Sequence, residues 1–359
     1  MADRRGEQAR GLINFPAPSG TAAYRIEPVY GAPGERRRLE PRSSGSQMDF
    51  TEFLALGTPA IAEGAVLERV RRDPALALDP HILHGGLIYD AAGHARLGEI
   101  HRDYMGLART AGLPLLIFTD TWRCSRRAVE ASPFSGRQIN EDHVRFLDEL
   151  RDSFGDGAPI FIGGLLGPSG DAYRPEEGLT RPAAREFHRW QVEALAGAGI
   201  DFFHLATAPN VDEALGVADA MAQTRIPYVI SFVIRRSGVV LDGTPLGEAM
   251  DRIESEAARA PAGYSVNCVH AAALESALEA VAATHPKAIE RLLAFQGNTA
   301  DREVEELDGS AELITEPPEV FAKNVKRVRD RFGLRFVGGC CGTDGGHIEA
   351  LARKLSCEG

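Results

Sequence analysis

The chain has few cysteines and no long apolar run, and each of these absences excludes a class of protein. Its 359 residues include five cysteines, which are too few and too widely spaced for a disulfide scaffold. No apolar stretch approaches the roughly 18 residues that a membrane-spanning helix requires. We therefore expect reduced thiols and a cytoplasmic location.

The chain also lacks an excess of basic residues. Its formal net charge is −11, whereas nucleic acids and anionic membranes are bound by clustered Lys and Arg. The hydrophobic fraction of 44% and the charged fraction of 25% are typical of a soluble globular protein with a substantial core. We expect a small-molecule substrate, with no nucleic-acid or membrane partner.

Residues 1–47 differ from the rest of the chain in composition. They combine eight Arg with five acidic residues, several Gly and Pro, and no sustained apolar period. This pattern predicts a disordered tail, or a start assigned too early, with Met48 as the true first residue. A transit peptide is disfavoured because such peptides contain few acidic residues.

Short apolar segments alternate with longer amphipathic segments from about residue 80, a pattern typical of repeated β-α units. The predicted strands are 81–86, 114–121, 159–167, 201–207, 228–234, 264–270, 292–297 and 334–339. The clearest predicted helices are 95–111, 140–153, 183–198, 211–224 and 271–284. Eight repeats favour a single closed (β/α)8 barrel of the TIM type over residues 80–359. Residues 48–79, with a helix over 61–72, are predicted to form a helical lead-in.

The most informative motif is the run Gly338-Gly339-Cys340-Cys341-Gly342-Thr343. Successive strand side chains point to opposite faces, so both sulfurs reach one ion only if the backbone leaves strand geometry, which the glycines permit. Zinc prefers four ligands, so further ligands must come from elsewhere in the chain. Cys268 is the candidate, because it ends the predicted sixth strand and strand ends share one rim of a barrel. Cys124 and Cys357 are interpreted as small buried hydrophobic residues.

With this motif the sequence resembles the zinc-dependent homocysteine S-methyltransferases, which include betaine- and S-methylmethionine-using enzymes and the homocysteine domain of cobalamin-dependent methionine synthase. The resemblance covers roughly residues 80–355. Weaker matches that support it are Gly85-Gly86, Thr119-Asp120-Thr121, Gly167-Pro168, Thr207, Pro209, Ser231-Phe232, Asp242-Gly243-Thr244 and Asn267-Cys268. It implies methyl transfer from a small donor to a thiol in methionine biosynthesis, and one Zn²⁺ held by Cys268, Cys340 and Cys341 with an open position for the acceptor thiol.

The resemblance also implies where the acceptor binds. The backbone N–H groups of Gly85 and Gly86 are expected to face a substrate carboxylate, although the two glycines could equally form a plain tight turn. Thr121 is expected in the same site. Asn267 is expected to orient the site or to make an ordinary strand-end hydrogen bond.

Two positions depart from the family pattern. His84 stands where the family has an Asp before the paired glycines of the first strand, and Ala206 stands where it has a Glu after the fourth strand. In the family these carboxylates help to bind the ammonium group of homocysteine. We therefore predict an acceptor without that group, such as a mercapto-carboxylate whose anionic end pairs with His84. The alternatives are that His84 is merely packed, or that Asp120 supplies a substitute carboxylate.

The methyl donor and the biological role are left open by the sequence. A sulfonium or quaternary ammonium donor would suit an aromatic wall formed by Trp122 and Tyr173. A corrinoid donor would have to come on a separate protein, because no cobalamin-binding region follows the barrel before Gly359. The alternative function is a non-catalytic zinc or thiol sensor on the same barrel. A redox dithiol at Cys340 and Cys341 is disfavoured because adjacent cysteines form a strained ring.

Overall fold

The fold is a closed barrel of eight parallel strands that pair in the order of the chain. The computed structural model describes residues 48–302 and 314–356. Its strands are β1 Ala60–Ala62, β2 Leu115–Phe118, β3 Ile160–Leu166, β4 Phe202–Ala208, β5 Tyr228–Phe232, β6 Gly263–His270, β7 Leu292–Asn298 and β8 Phe336–Gly339. The predicted (β/α)8 architecture is confirmed.

Helices surround this barrel. They are α1 Phe50–Leu56, α2 Leu67–Arg71, α3 Ala91–Ala111, α4 Arg126–Ala131, α5 Ile139–Phe154, α6 Arg181–Ala198, α7 Val211–Met221, α8 Leu246–Glu256, α9 Ala271–Thr284, α10 Pro286–Arg291, α11 Pro318–Phe332 and α12 Gly345–Ser356. An outer ring forms because α3, α5, α6, α7, α8, α9, α11 and α12 each pack against the next, and α12 packs against α3. The five helices predicted most clearly are all present. In the part of the chain that the structure describes, no helix has the length and apolarity needed to cross a membrane.

The first strand is not where the sequence predicted it. β1 consists of Ala60, Ile61 and Ala62, and it pairs with β2 on one side and β8 on the other. The helix predicted over 61–72 is therefore wrong over its first residues, and the barrel includes residues assigned to the helical lead-in. Three small apolar residues are too few to show a strand period, which explains the error.

The segment 81–86 is not a strand. It is a turn that continues into a 3-10 helix, His84–Tyr89, and Leu83 has a φ of 51°. Gly85 and Gly86 are required by close packing, since a Cβ would lie 2.5 Å from Cys124 Sγ at the first and 2.4 Å from the Phe134 ring at the second. The apolar residues of this segment are buried in a turn, and such a run can be mistaken for a buried strand.

Helix α1 closes the amino-terminal end of the barrel. Asp49 caps it and Gly57 ends it in the left-handed conformation. Its Phe50 ring stacks on Phe202 of β4 with centroids 4.3 Å apart, and its Phe53 lies 5.8 Å from Phe336 of β8. Because the opposite end carries the strand carboxyl ends, the barrel is open to substrates there.

Two predictions concern residues outside this description. The disordered tail or early start over 1–47 and the burial of Cys357 both lie outside the described residues.

Candidate metal centre and acceptor site

Cys268, Cys340 and Cys341 come together at the carboxyl ends of β6 and β8. Their sulfur atoms all lie within 4.8 Å of one another, and the Sγ atoms of Cys268 and Cys341 are 3.4 Å apart. Cys268 is buried, whereas Cys340 and Cys341 are partly exposed. Three thiols at this spacing form a soft donor set of the type that could hold zinc.

The backbone around these cysteines departs from regular strand geometry. Cys268 has a φ of 61°, unusual for a residue with a Cβ, and the β6–β7 register shifts between Asn267 and His270. Gly342, which follows the cysteine pair, has a φ of 83°. Such conformations cost on the order of 1–3 kcal/mol each for non-glycine residues and are concentrated at functional sites. Here they turn the Cys268 sulfur toward those of the cysteine pair.

The three thiols differ in acidity. Hydrogen bonds from the Cys340 and Cys341 thiols lower the pKa of Cys268 well below its usual value, although burial opposes this. The hydrogen bond to Cys268 in turn raises the pKa of Cys341. One sulfur of the cluster therefore ionises most readily, and further negative charge requires a cation.

Tyr173 reaches this cluster from the loop after β3. Its hydroxyl oxygen lies 3.1 Å from Cys268 Sγ, and burial, together with the nearby sulfurs, raises its pKa well above the usual value. The sequence placed Tyr173 in an aromatic wall with Trp122 and missed this contact, because no motif marks a tyrosine in a long loop. Trp122 instead donates its indole N–H to Thr207 over 3.1 Å, and the Arg123 guanidinium lies 4.5 Å from its ring centroid. One side of Trp122 is therefore already occupied by a cation.

Asn267 ties the cluster to the neighbouring strands. Its side-chain oxygen accepts hydrogen bonds from the Thr207 backbone N–H (2.9 Å) and the Ser231 hydroxyl (2.7 Å). Its amide nitrogen lies 4.0 Å from Cys340 Sγ. Asn298 donates to the Cys268 carbonyl over 3.1 Å, so a second amide holds the backbone of that cysteine. These contacts fix the Asn267 side chain and the Cys268 backbone at the strand ends, and they are compatible with both roles expected of Asn267.

A carboxylate does follow the first strand, contrary to the expectation drawn from His84. The residue after β1 is Glu63, and Gly64 follows it. Its carbonyl accepts the Gly339 N–H over 3.1 Å, so it lies beside the strand that leads into Cys340. The departure attributed to His84 arose because the segment 81–86 was taken as the first strand. Ala206, in contrast, does lie in β4, and no carboxylate stands there.

Glu63 belongs to a buried ionic network. His101 of α3 lies between two carboxylates, with Nδ1 3.2 Å from Glu63 and Nε2 3.1 Å from Asp120. The other Asp120 oxygen is 3.3 Å from His84 Nε2, and His143 Nδ1 is 3.7 Å from Asp120. All five side chains are at most 5% exposed. Both Asp120 oxygens therefore lie beside histidine nitrogens.

Charges in this network stabilise one another. Although burial opposes it, the carboxylates of Asp120 and Glu63 raise the pKa of His101 to about 10. Burial would raise the pKa of Asp120, but His101 and His84 hold it well below its usual range. Burial raises the pKa of Glu63. The central pair is thus an imidazolium and a carboxylate inside the protein.

Two of the remaining predicted acceptor residues, Gly85 and Thr121, have structural partners. Gly85 donates its N–H to the Ile82 carbonyl over 3.0 Å, so it does not offer this donor to a substrate. Its own carbonyl is 2.9 Å from His143 Nε2. Thr121 donates to the Leu165 carbonyl over 2.8 Å and thereby joins the ends of β2 and β3.

Comparison with known proteins agrees with this arrangement. Residues 60–355 match the family model described as homocysteine S-methyltransferase. The chain belongs to the homocysteine S-methyltransferase family. The match begins at β1 and ends in α12, so it covers the whole barrel and all three clustered cysteines. Membership identifies the protein as an S-methyltransferase with a homocysteine-like thiol as acceptor.

Individual relatives are distant. A homocysteine S-methyltransferase of Escherichia coli is 28% identical over 210 residues, which cover 54% of this chain and 63% of the relative. Homocysteine S-methyltransferase 4 of Zea mays is 25% identical over 304 residues, which cover 76% of this chain and 85% of the relative. A solved structure of an Escherichia coli homocysteine methyltransferase in its metallated form has a TM-score of 0.67 at 20% identity, covering 84% of this chain and 98% of that chain. At this identity the structural likeness shows the fold alone.

Proposed function

We propose that the protein is a zinc-dependent methyltransferase that methylates a small thiol lacking an α-ammonium group. The observation that carries the zinc assignment is the convergence of three cysteine sulfurs within 4.8 Å at the open end of the barrel. The donor set fits zinc, because thiolates are soft ligands and three of them leave a fourth tetrahedral position. Bound zinc would keep the acceptor ionised as a thiolate at neutral pH.

The residues of the chain position the reacting groups. Cys268, Cys340 and Cys341 would hold the metal, and Asn267 and Asn298 fix the strand end from which Cys268 projects. The Tyr173 hydroxyl, in contact with Cys268, places a hydrogen-bond donor beside the sulfurs. Methyl transfer requires the donor carbon and the acceptor sulfur to be held about 3–3.5 Å apart and aligned, so a rigid rim of this kind favours the reaction.

The state of the nearby carboxylates supports an acceptor without an ammonium group. Ala206 provides no charge at the end of β4. Glu63 accepts the Phe118 N–H over 3.2 Å and faces His101, while Asp120 faces His84 and His101. Because each carboxylate already faces an imidazole, an ammonium group bound there would gain less than at a free carboxylate and would still lose its hydration.

The methyl donor is either a small sulfonium or quaternary ammonium compound or a methyl group carried by a separate corrinoid protein. A cytoplasmic location is proposed because a reducing compartment keeps a cluster of free thiols available for metal.

The test measures zinc content and then methyl transfer. Purified full-length protein is expected to contain one zinc per chain and to methylate a thiol when supplied with S-methylmethionine, betaine or a methylated corrinoid protein. Calorimetry is then expected to show tighter zinc-dependent binding of 4-mercaptobutanoate than of homocysteine, which differs by its amino group.

Two outcomes would contradict the proposal. Zinc binding without methyl transfer from any donor would favour the sensor alternative, which family membership does not favour. Tight zinc-dependent homocysteine binding would leave the methyltransferase assignment intact and overturn the proposed acceptor.

A further inference from the structure

The loop after β3, residues 167–180, carries Tyr173 to the cysteine sulfurs. Its own hydrogen bonds hold it together. The Asp171 side chain accepts the Tyr173 N–H over 2.9 Å, and the Glu177 side chain accepts the Asp171 N–H over 3.0 Å. The Tyr173 backbone is thus fixed within the loop, so the distance from its hydroxyl to Cys268 depends on how the loop is attached to the rest of the barrel.

The first turn of α7 attaches this loop at both of its ends. One carboxylate oxygen of Glu213 accepts the Ser169 N–H over 2.6 Å, and the other accepts the Leu179 N–H over 3.3 Å. Ser169 is near the beginning of the loop and Leu179 is near its end. A single side chain therefore holds the two ends of the loop together and binds them to α7.

Asn210 adds a third contact from the same end of α7. Its side-chain oxygen accepts the Glu213 N–H over 2.8 Å and caps the helix, while its amide donates to the Pro175 carbonyl over 3.0 Å. A Cβ at Gly178 would overlap the Asn210 amide, so the loop approaches the helix this closely only with glycine there. The loop is therefore fitted to the end of α7.

Glu213 is a buried charge that has its own partner. It is 1% exposed, and His188 Nε2 of α6 lies 3.0 Å from the oxygen that accepts the Ser169 N–H. Burial would raise the pKa of Glu213, but His188 and the Ser169 N–H keep it below its usual value. Hydrogen bonds to an ionised carboxylate are roughly twice as strong as those between neutral groups, so the charge strengthens the attachment.

Arg123 also binds the loop, but at its beginning. Its guanidinium donates to the Pro168 carbonyl over 2.9 Å and to the Gly170 carbonyl over 2.5 Å. Glu213 differs from Arg123 because it also bonds to Leu179 at the far end of the loop. Substitution of Glu213 would therefore release one end of the loop while Arg123 still holds the other.

We propose that Glu213, assisted by Asn210, is a positioning residue for the metal centre: it fixes the loop after β3 so that the Tyr173 hydroxyl stays beside Cys268. The inference rests on the proposed function, since it assigns a role at the zinc site proposed there. Because Glu213 acts through Tyr173, its loss cannot weaken zinc binding more than loss of the Tyr173 hydroxyl does.

The experiment is a double-mutant cycle on the full-length protein. Competition with a chromogenic chelator measures the zinc affinity of the unmodified protein, Glu213→Gln, Tyr173→Phe and the double variant. Glu213→Gln is expected to lower the affinity by up to about tenfold, the range seen when a group that orients a metal ligand is lost. In the Tyr173→Phe background the same substitution is expected to change the affinity by less than about twofold, since residues that act through one contact are not additive.

Two further variants separate this role from a general loss of stability. Glu193→Gln removes an exposed carboxylate of α6 that pairs with Arg189 over 3.4 Å, and it is expected to leave zinc affinity unchanged. Asn210→Ser keeps an oxygen that can cap α7 but removes the donor to Pro175. It is expected to lower zinc affinity only when Tyr173 is present, and it keeps the test decisive if Glu213→Gln does not fold.

The attachment itself is measured by amide hydrogen exchange followed by mass spectrometry. The segment 167–180 is expected to exchange faster in Glu213→Gln than in Glu193→Gln. If the unmodified protein binds no zinc, the proposed function fails and this inference fails with it. If zinc binds, but Glu213→Gln lowers its affinity equally with and without the Tyr173 hydroxyl or does not lower it at all, only this inference is overturned.

Discussion

The open end of the barrel has two sides that differ in how their charged groups are balanced. On the thiol side, three acidic groups lie together, and none of them is positively charged. They are the thiols of Cys268, Cys340 and Cys341. On the ionic side, Glu63, His84, His101, Asp120 and His143 form a buried network in which carboxylates and imidazoles face one another.

The comparison shows which side is incomplete. The ionic side contains its own counter-charges, so it is suited to rigidity more than to binding a further ion. Among the described residues, no basic side chain is one of the groups that shift the pKa values of the three thiols, and Cys340 and Cys341 are partly exposed, so this side is suited to binding a cation. This difference supports our proposal that the thiol side is the site of the chemistry.

The largest expected effect tests the thiol side. Cys268→Ala should remove stoichiometric zinc and all methyl transfer, because two remaining sulfurs cannot complete the ligand set. Zinc content after dialysis against a weak chelator measures the first effect, and methylation of a thiol measures the second. Cys124→Ala is the matched control, since that cysteine is buried away from the cluster and should retain both. Full zinc retention by Cys268→Ala would show that this cysteine is not a ligand.

The next effect tests the ionic side. Asp120→Asn removes the carboxylate between His101 and His84 and leaves a buried imidazolium without its principal partner. We expect a loss of about 3–5 kcal/mol in the free energy of unfolding, measured by urea denaturation of the zinc-loaded protein. Glu186→Gln disrupts an exposed pair with Arg189 and should have no measurable effect. Equal stabilities of the two variants would mean that the network contributes nothing.

The pH dependence of stability sharpens the same comparison. The folded pKa of His101, about 10, exceeds its unfolded value of about 6.5, so its stabilisation is complete below pH 6.5 and is lost as the pH rises through 10. Unfolding free energies should therefore fall by about 1 kcal/mol per pH unit over this window. In Asp120→Asn the slope should be smaller, because the carboxylate that raises this pKa most is absent. If the unfolding free energies of the unmodified protein and of Asp120→Asn changed with pH at the same slope, Asp120 would not be the carboxylate that raises the pKa of His101.

The thiol side could be predicted from the sequence because its information is local. Cys340 and Cys341 are adjacent, and Cys268 ends a long apolar strand, so counting strands was enough to place them on one rim. The positive φ of Cys268 was not predictable, since no glycine marks it. Tyr173 was missed as a neighbour of the sulfurs because its position depends on the path of a loop.

The ionic side could not be predicted because one strand was misplaced. β1 has three residues, and its short Ala-Ile-Ala run has no period, while the apolar turn before α3 looked like a strand. That error hid Glu63 and made His84 appear to replace a carboxylate. The partners of Asp120 come from α3, α5 and a turn, so only the folded chain brings them together.

The smallest expected effect concerns the contact between Cys268 and Tyr173, which lies in the loop after β3. Tyr173→Phe removes the hydroxyl 3.1 Å from Cys268 Sγ and keeps the ring. We expect zinc affinity to fall about tenfold, the range seen when a group that orients a metal ligand is lost, measured by competition with a chromogenic chelator. Tyr89→Phe is the control. The Tyr89 hydroxyl donates to Asp142 over 2.6 Å and does not belong to the cysteine cluster. An unchanged zinc affinity in Tyr173→Phe would mean that this hydroxyl contributes nothing to metal binding.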